Sequence, residues 1–298
     1  MKTAILVPTS PKYEFMLPSM VKLLGIHWPR HPEVFIAGST RSCEGTVLIP
    51  RSPEEDTDWV PIFYDAVVHL KQLGLARVFV CLDDLHPLGA CNESFLEEEL
   101  PARIEQLSAG YIYLLGWLDN GTIPVDAAQP NENFLRMSFE GTYLTSLQVG
   151  YWNLDFLIQV TEGVIKCGGR TAWDWEMLGS EVARKMRVPC FVLRDGSFAE
   201  DLNSLEDQIP KRYRSWVTVG PYPFKKGGFS DNGMVGRPQR DIYRALAGGI
   251  PEVEEMIART RKFDYRIQNI RKRIAWKCKG IAYRWRKLTR ANEHAPRV

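Results

Sequence analysis

The chain has no run of eighteen apolar residues, so no helix is expected to span a membrane. It has no Cys-x-x-Cys pair. The six cysteines (Cys43, Cys81, Cys91, Cys167, Cys190 and Cys278) are scattered. Without a secretion signal, that scatter argues for reduced thiols in a cytosolic compartment, against a disulfide framework or a zinc ribbon. Four of the histidines, His27, His31, His69 and His294, have no metal-ligand spacing. No internal repeat is visible. The opening stretch, Met1 to Pro8, is too short in its apolar part for a signal peptide and lacks a cleavage site; it reads as a first strand.

Net charge is also nearly missing, but the formal +2 is an average over two unlike parts. Residues 261–298 hold thirteen Lys or Arg against two acids, Asp264 and Glu293, a net of +11. The other residues hold 25 Lys or Arg against 34 acids, a net of −9. A mildly acidic body therefore carries a strongly basic tail, which points to an anionic surface or polymer as the tail's partner.

The body alternates strand and helix signals. Residues 3–8 (TAILVP) and 33–37 (EVFIA) read as strands, and 13–26 has helical apolar spacing. Residues 40–58 read as a polar loop with a short apolar run at 46–49. Val60, Phe63, Ala66, Val67 and Leu70 recur at three and four, predicting a helix over 59–73 that Gly74 stops. Residues 77–82 are a central strand, 94–107 a helix with acids at its start, and 110–116 another strand. Residues 188–194 form a late strand. Such alternation predicts a largely parallel α/β sheet. Residues 218–238 are dense in Gly and Pro and read as loop or linker.

Two stretches carry chemistry. The first is Arg77 to Asp84, where five apolar residues run directly into Asp83 and Asp84. In an open α/β sheet, ligands bind beyond the carboxyl ends of the strands. Adjacent carboxylates there repel each other, and a divalent cation relieves that repulsion. The plain alternative is a cap of a turn or helix. The second stretch holds Ser146-Leu147-Gln148-x-x-x-Trp152, followed some twenty residues on by Trp173-Asp174-Trp175-Glu176.

In this order and spacing, over roughly residues 1–220, these motifs resemble a group of bacterial glycosyltransferase-like proteins with the GT-A fold. The resemblance implies an α/β, Rossmann-related, mostly parallel sheet flanked by helices. It implies transfer of a sugar from a nucleotide-diphosphate donor, a UDP-sugar foremost, to a glycan or lipid-linked acceptor in surface polysaccharide synthesis. Such chemistry uses Mn²⁺ or Mg²⁺ to neutralise the leaving diphosphate. The family's Asp-x-Asp motif is not intact here, and Asp84-Leu85-His86 is an Asp-x-His variant of it. The implied metal residues are Asp84, Asp83 and His86, with Asp83 alternatively a partner of the ribose. Glu176 or Asp174 is implied as the base that takes the acceptor's proton, flanked by two indoles that would desolvate it and offer flat faces to a sugar. The alternative for this pair is a capping role at a helix start, with both tryptophans in the core. Thr9, Ser10 and Tyr13, after the first strand, are placed at the base and ribose. Lys225 and Lys226, in the Gly-rich loop, are placed over the diphosphate. Gln148 and Trp152 are expected in the pocket floor or core.

From Phe263 to Leu288 apolar residues fall in steps of three and four, one stripe along a helix, with Lys and Arg between them. Tyr265, Trp276, Tyr283 and Trp285 add interfacial aromatics. A basic amphipathic helix over 261–290 suits an anionic membrane surface; packing on the body or on a second copy of the chain is the alternative, and nucleic acid the least favoured partner. The expected organisation is a transfer domain over 1–220, a linker over 221–250 and a basic helical tail over 251–298. The protein is expected to sit on the cytoplasmic face of the membrane. The competing reading is a catalytically inactive GT-A-like scaffold held there by its tail.

Overall fold

In the computed structural model the described residues are 2–50, 58–114, 122–124, 133–141, 143–193, 211 and 237–259. Lys225, Lys226 and the basic stretch 261–290 lie outside them.

The strands are β1 (Thr3–Pro8), β2 (Val34–Ala37), β3 (Thr46–Leu48), β4 (Arg77–Val80), β5 (Tyr111–Tyr113), β6 (Thr122–Pro124), β7 (Phe134–Met137), β8 (Gly150–Asn153) and β9 (Cys190–Leu193). They form one sheet of nine strands in the order β3-β2-β1-β4-β8-β5-β9-β7-β6. The pairs β1–β2, β1–β4, β2–β3 and β5–β9 are parallel. β8 runs against both its neighbours, and β7 against both of its own. Seven of the nine strands therefore point one way, the largely parallel α/β sheet that the alternation predicts.

The helices are α1 (Leu17–His27), α2 (Trp59–Gln72), α3 (Leu100–Gln106), α4 (Leu154–Lys166), α5 (Ala172–Met186), α6 (Arg237–Ala247) and α7 (Pro251–Arg259). A π-helical turn, Phe95–Glu99, leads into α3. α2 falls where its apolar spacing puts it and buries Val60, Phe63, Ala66, Val67 and Leu70. Among the described residues no helix is long and apolar enough to cross a membrane.

β1, β2 and β4 are apolar along almost their whole length because they are covered on both faces. One large cluster packs around the sheet and takes in α2, α4 and α5. A second, smaller cluster joins Met16, Leu23, Leu88, Tyr243, Val253 and Met256. It fastens α6 and α7 to α1. Two expectations are corrected here. Residues 237–247 are a packed helix inside the stretch read as linker, and 251–259 belong to the body and not to a separate tail. Val253, Met256 and Ile257 are buried in that interface, and burial of such side chains is worth about 1.5–3 kcal/mol each.

Candidate functional site at the carboxyl ends of β1 and β4

The chain builds outward from β1 to β2 and β3, then returns to the other side of β1 as β4. This reversal of strand order between β1 and β4 leaves a crevice where their following loops part. Thr9 follows β1, and Asp83 follows β4. They meet across the crevice: the Thr9 hydroxyl donates a short hydrogen bond to Asp83 Oδ2. Thr9 is itself fixed by its backbone N–H, which donates to Ala37 O at 2.8 Å. The residue after Ala37 is Gly38, with φ +84°; a Cβ there would run into the Thr9 carbonyl, so only glycine lets β2 end this close to β1.

Asp83 and Asp84 occupy the middle of a tight turn closed by Leu85 N–H to Leu82 O at 3.0 Å. Asp83 is buried and Asp84 half-buried. Burial first, then the neighbouring Asp84 charge, push the Asp83 carboxyl up to about 8, against the pull of the Thr9 hydrogen bond. Burial likewise pushes Asp84 up to about 7, and the charge of Glu176 adds to it. Two carboxylates so placed share the site with a proton or with a cation.

Glu176 enters from the far side of the crevice. β8 runs antiparallel to β4, so the segment before it, Ser146 to Val149, emerges at the carboxyl end of β4. There the Ser146 hydroxyl (3.0 Å) and the Leu147 N–H (3.2 Å) both donate to Glu176 Oε1. Glu176 Oε2 has no partner among the described residues. Burial raises the Glu176 carboxyl above its ordinary value, and these two hydrogen bonds hold the rise in check. α5 aims Glu176 because its neighbour Trp175 is locked in the core. The Trp175 indole donates to Thr161 Oγ1 at 3.0 Å and lies edge-on to Phe63 and Trp152.

The other expectations divide. Asp174 is a capping residue: its carboxylate accepts from Thr171 N–H and from the Thr171 hydroxyl at 2.9 Å, and from Arg170 N–H at 3.1 Å. Those hydrogen bonds hold its carboxyl below the usual range, and its place as a second base is withdrawn. The two indoles do not flank one carboxylate, since Trp175 is buried and Trp173 is 68% exposed. His86 is corrected too. It is fully buried, Nδ1 meets the Tyr243 hydroxyl at 2.6 Å, and Nε2 meets Ser19 Oγ at 3.0 Å and Met16 O at 3.3 Å. Both ring nitrogens are engaged, so no lone pair is left for a cation. Ser10 turns the chain into the first helical turn by accepting from Tyr13 and Glu14 N–H. Tyr13 is half-buried, with the Lys12 ammonium 5.0 Å from its ring centre. Trp152 is in the core, stacked on Tyr111, and Gln148 accepts from the Tyr113 hydroxyl at 2.7 Å. Gly38 and Tyr243 are site residues that motif reading passes over, and Ser146, though inside a motif, gains its role only from its contact with Glu176.

Among the described residues no three His, Cys, Asp or Glu side chains converge on one point. The donor set is thus two hard carboxylates, Asp83 and Asp84. That set suits Mg²⁺ or Mn²⁺, which are commonly held by one or two carboxylates with phosphate oxygens and water completing the shell. A cavity of about 340 Å³ lies beside the crevice between the loops after β1 and β2, lined among others by Pro11, Glu14, Ser39, Arg41 and Glu252. The larger cavity, about 420 Å³, opens at the opposite end of β4 around Arg77, Glu105 and Asn153, away from the acids.

No protein-family profile and no curated protein matches the sequence. Similar solved structures include S. aureus TarS 1-349, at 14% identity over 87% of this chain and 70% of that one, with a TM-score of 0.41. Another is the 2-C-methyl-D-erythritol 4-phosphate cytidylyltransferase of Thermus thermophilus, at 14% identity over 67% of this chain and 91% of that one, TM-score 0.39. A third is the mannose-1-phosphate geranyltransferase of the same organism, at 13% identity over 70% and 79% of the two chains, TM-score 0.37. These overlaps are loose, and the fold assignment stands on strand order and register.

Proposed function

We propose that the protein is a nucleotide-sugar-dependent glycosyltransferase whose reaction centre is the β1–β4 crevice. The observation that carries the reading is the Thr9–Asp83 contact across the point where the strand order reverses, with Asp84 beside it and Glu176 near enough for its charge to act on Asp84. Asp84, with Asp83 beside it, would hold a divalent cation; when bound, that ion supplies positive charge to the leaving diphosphate. Thr9 orients Asp83. Ser10 and Tyr13 stand on the same loop, and the adjacent cavity has room for the nucleoside end of the donor, UDP foremost. Lys225 and Lys226 are proposed to close over the diphosphate.

Glu176 is the proposed base. Its raised carboxyl brings it closer to working pH, where a general base is most effective, and Oε2 is the atom that would take the acceptor's hydroxyl proton. Trp173 and Met177, one turn apart on α5 and both exposed, offer an apolar platform beside it for an acceptor sugar. The acceptor is proposed to be a glycan or a lipid-linked precursor, with the basic stretch 261–290 holding the enzyme on an anionic membrane surface.

The test is thermal stability against a panel of nucleotides and nucleotide sugars, each with and without Mn²⁺. Ligand at a hundred times its dissociation constant stabilises by about 2.7 kcal/mol, on the order of 5–10 °C for a chain of this size. A shift for one donor that requires Mn²⁺ is the expected result. No shift across the whole panel would refute the transferase reading and favour the non-catalytic scaffold.

A further inference from the structure

The turn that carries Asp83 and Asp84 is anchored on both sides. Leu85 points into the large cluster around the sheet, while His86 and Leu88 belong to the side of α6 and α7. His86 is the centre of a wholly buried polar network. Tyr243, on α6, meets its Nδ1 at 2.6 Å. Ser19, on α1, meets its Nε2 at 3.0 Å; the same hydroxyl donates to Met16 O at 2.8 Å and lies 3.2 Å from Met256 Sδ, on α7. The set is satisfied when Nε2 carries the imidazole proton and donates towards Met16 O, while Nδ1 accepts from the Tyr243 hydroxyl. Neutral imidazole is also the form that burial favours, since His86 is pushed down to about 4.

Asp84 lies close to this network. His86 is two residues on, and the Asp84 charge adds to burial in raising the Tyr243 hydroxyl well above its ordinary value. Tyr243 lies 157 residues further along the chain than His86. A helical pair that contributes no strand to the sheet therefore closes under the acidic turn.

We infer that α6 and α7 are a clamp for the acidic turn, with Tyr243 a positioning residue that acts through His86 to hold Asp84 in its binding geometry. Held by Leu85 alone, the turn would let Asp84 sample several orientations, since the Thr9 bond holds only Asp83. The Tyr243 bond and Leu88 fix the second end, so the carboxylates are set before a ligand arrives, and the cost of ordering them is not charged to binding. The consequence for cation and donor affinity rests on the transferase reading; the clamp itself does not.

The experiment uses the full chain and compares Tyr243→Phe with Val253→Ala. Phenylalanine keeps the ring and removes the hydroxyl that His86 contacts. Val253→Ala loosens the same small cluster without touching His86. Amide hydrogen exchange of residues 82–88 is followed in each. Tyr243→Phe is expected to speed exchange there about three- to tenfold, the size that loss of one buried hydrogen bond gives, while Val253→Ala leaves it within about twofold. Ser19→Ala, which removes the hydroxyl that joins His86 Nε2 to Met256 on α7, tests the other link from the helical pair to His86 should Tyr243→Phe fold poorly. Unchanged exchange in Tyr243→Phe, or equal acceleration in Val253→Ala, would overturn the clamp. A second arm measures Mn²⁺ binding by electron paramagnetic resonance, with UDP present. Weakening by about three- to tenfold in Tyr243→Phe, with Val253→Ala unchanged, is expected. If the wild type takes up no Mn²⁺ while exchange responds as described, the transferase reading fails and the clamp stands. If the wild type binds Mn²⁺ and Tyr243→Phe binds it equally well, Tyr243 does not position the site.

Discussion

The sheet and the C-terminal helical pair are held together in different ways. The sheet rests on long-range backbone pairing and one large apolar cluster, in which whole strands such as β2 and β9 are buried end to end. Thr9 and Asp83 lie just beyond the carboxyl ends of β1 and β4, and Thr3 and Arg77 at their amino ends. The α6–α7 pair has a small cluster and a polar network at its heart, with His86, Ser19 and Tyr243 all inaccessible to solvent. The acidic turn lies on the seam between the two. Fold stability is thus expected to be set mainly by the sheet, and the geometry of Asp84 by both.

The largest effects should come from the acids themselves. Asp84→Asn is expected to reduce turnover at least about a hundredfold, the scale for losing a group that organises transition-state charge. Glu176→Gln should lose about 10²–10⁴-fold as a base is removed, while donor binding, read by calorimetric titration, persists. Loss of folding in Glu176→Gln would instead assign that carboxylate to anchoring Ser146 and Leu147.

Gly38→Ala separates the crevice from the clamp. It forces a Cβ at positive φ against the Thr9 carbonyl and should cost about 2–4 kcal/mol from strain and overpacking. Denaturant titration measures that loss. Donor affinity should fall as well, because Thr9 is displaced, whereas exchange around His86 should hold.

Acidity should act on the two sides of the seam in opposite directions. Asp83 and Asp84 are raised to about 8 and about 7, so the folded state holds protons that the unfolded chain has released, and stability is lost as pH rises from about 4 towards 8. His86 is lowered to about 4, so its contribution is present above about 6.5 and is lost as pH falls through about 4. Between about pH 4 and 6.5 the two raised carboxyls outweigh the one lowered imidazole, so melting temperature should fall steadily as pH rises from about 4 towards 8, most steeply above about 6.5. Asp84→Asn should flatten that fall. An unaltered fall in that variant would count against the repulsion between the acids.

The smallest effect is expected at the helix start. Asp174→Ala removes one half of the capping box and should cost about 0.5–2 kcal/mol in a thermal melt, with turnover kept within about twofold. Removing residues 261–298 should release the protein from anionic vesicles in a sedimentation assay and leave donor binding intact; continued pelleting would contradict a membrane role for that stretch.

Much of the sheet can be read from apolar runs alone, because strands covered on both faces carry little else. β8 escapes such reading: Gly150 to Asn153 is only four residues long and passes without a loop into α4. Yet its antiparallel course brings Ser146 to Glu176. Asp83 and Asp84 are legible because they directly follow an apolar strand. Asp174 and Glu176 are distinguishable in principle, since residues two apart on a helix point to roughly opposite sides, and the Thr-x-x-Asp spacing from Thr171 marks the first as a cap. His86 has only a misleading local signal, the Asp-x-His spacing from Asp84. Its meaning lies in Ser19 and Tyr243, which only the folded chain brings to it.

The most direct test of the reaction centre is calorimetric titration of wild type and Asp84→Asn with the donor chosen by the panel, with and without Mn²⁺. The account predicts that Mn²⁺ tightens donor binding in the wild type and has no such effect in Asp84→Asn. Equal Mn²⁺ dependence in the two proteins would contradict it and move the site away from the β1–β4 crevice.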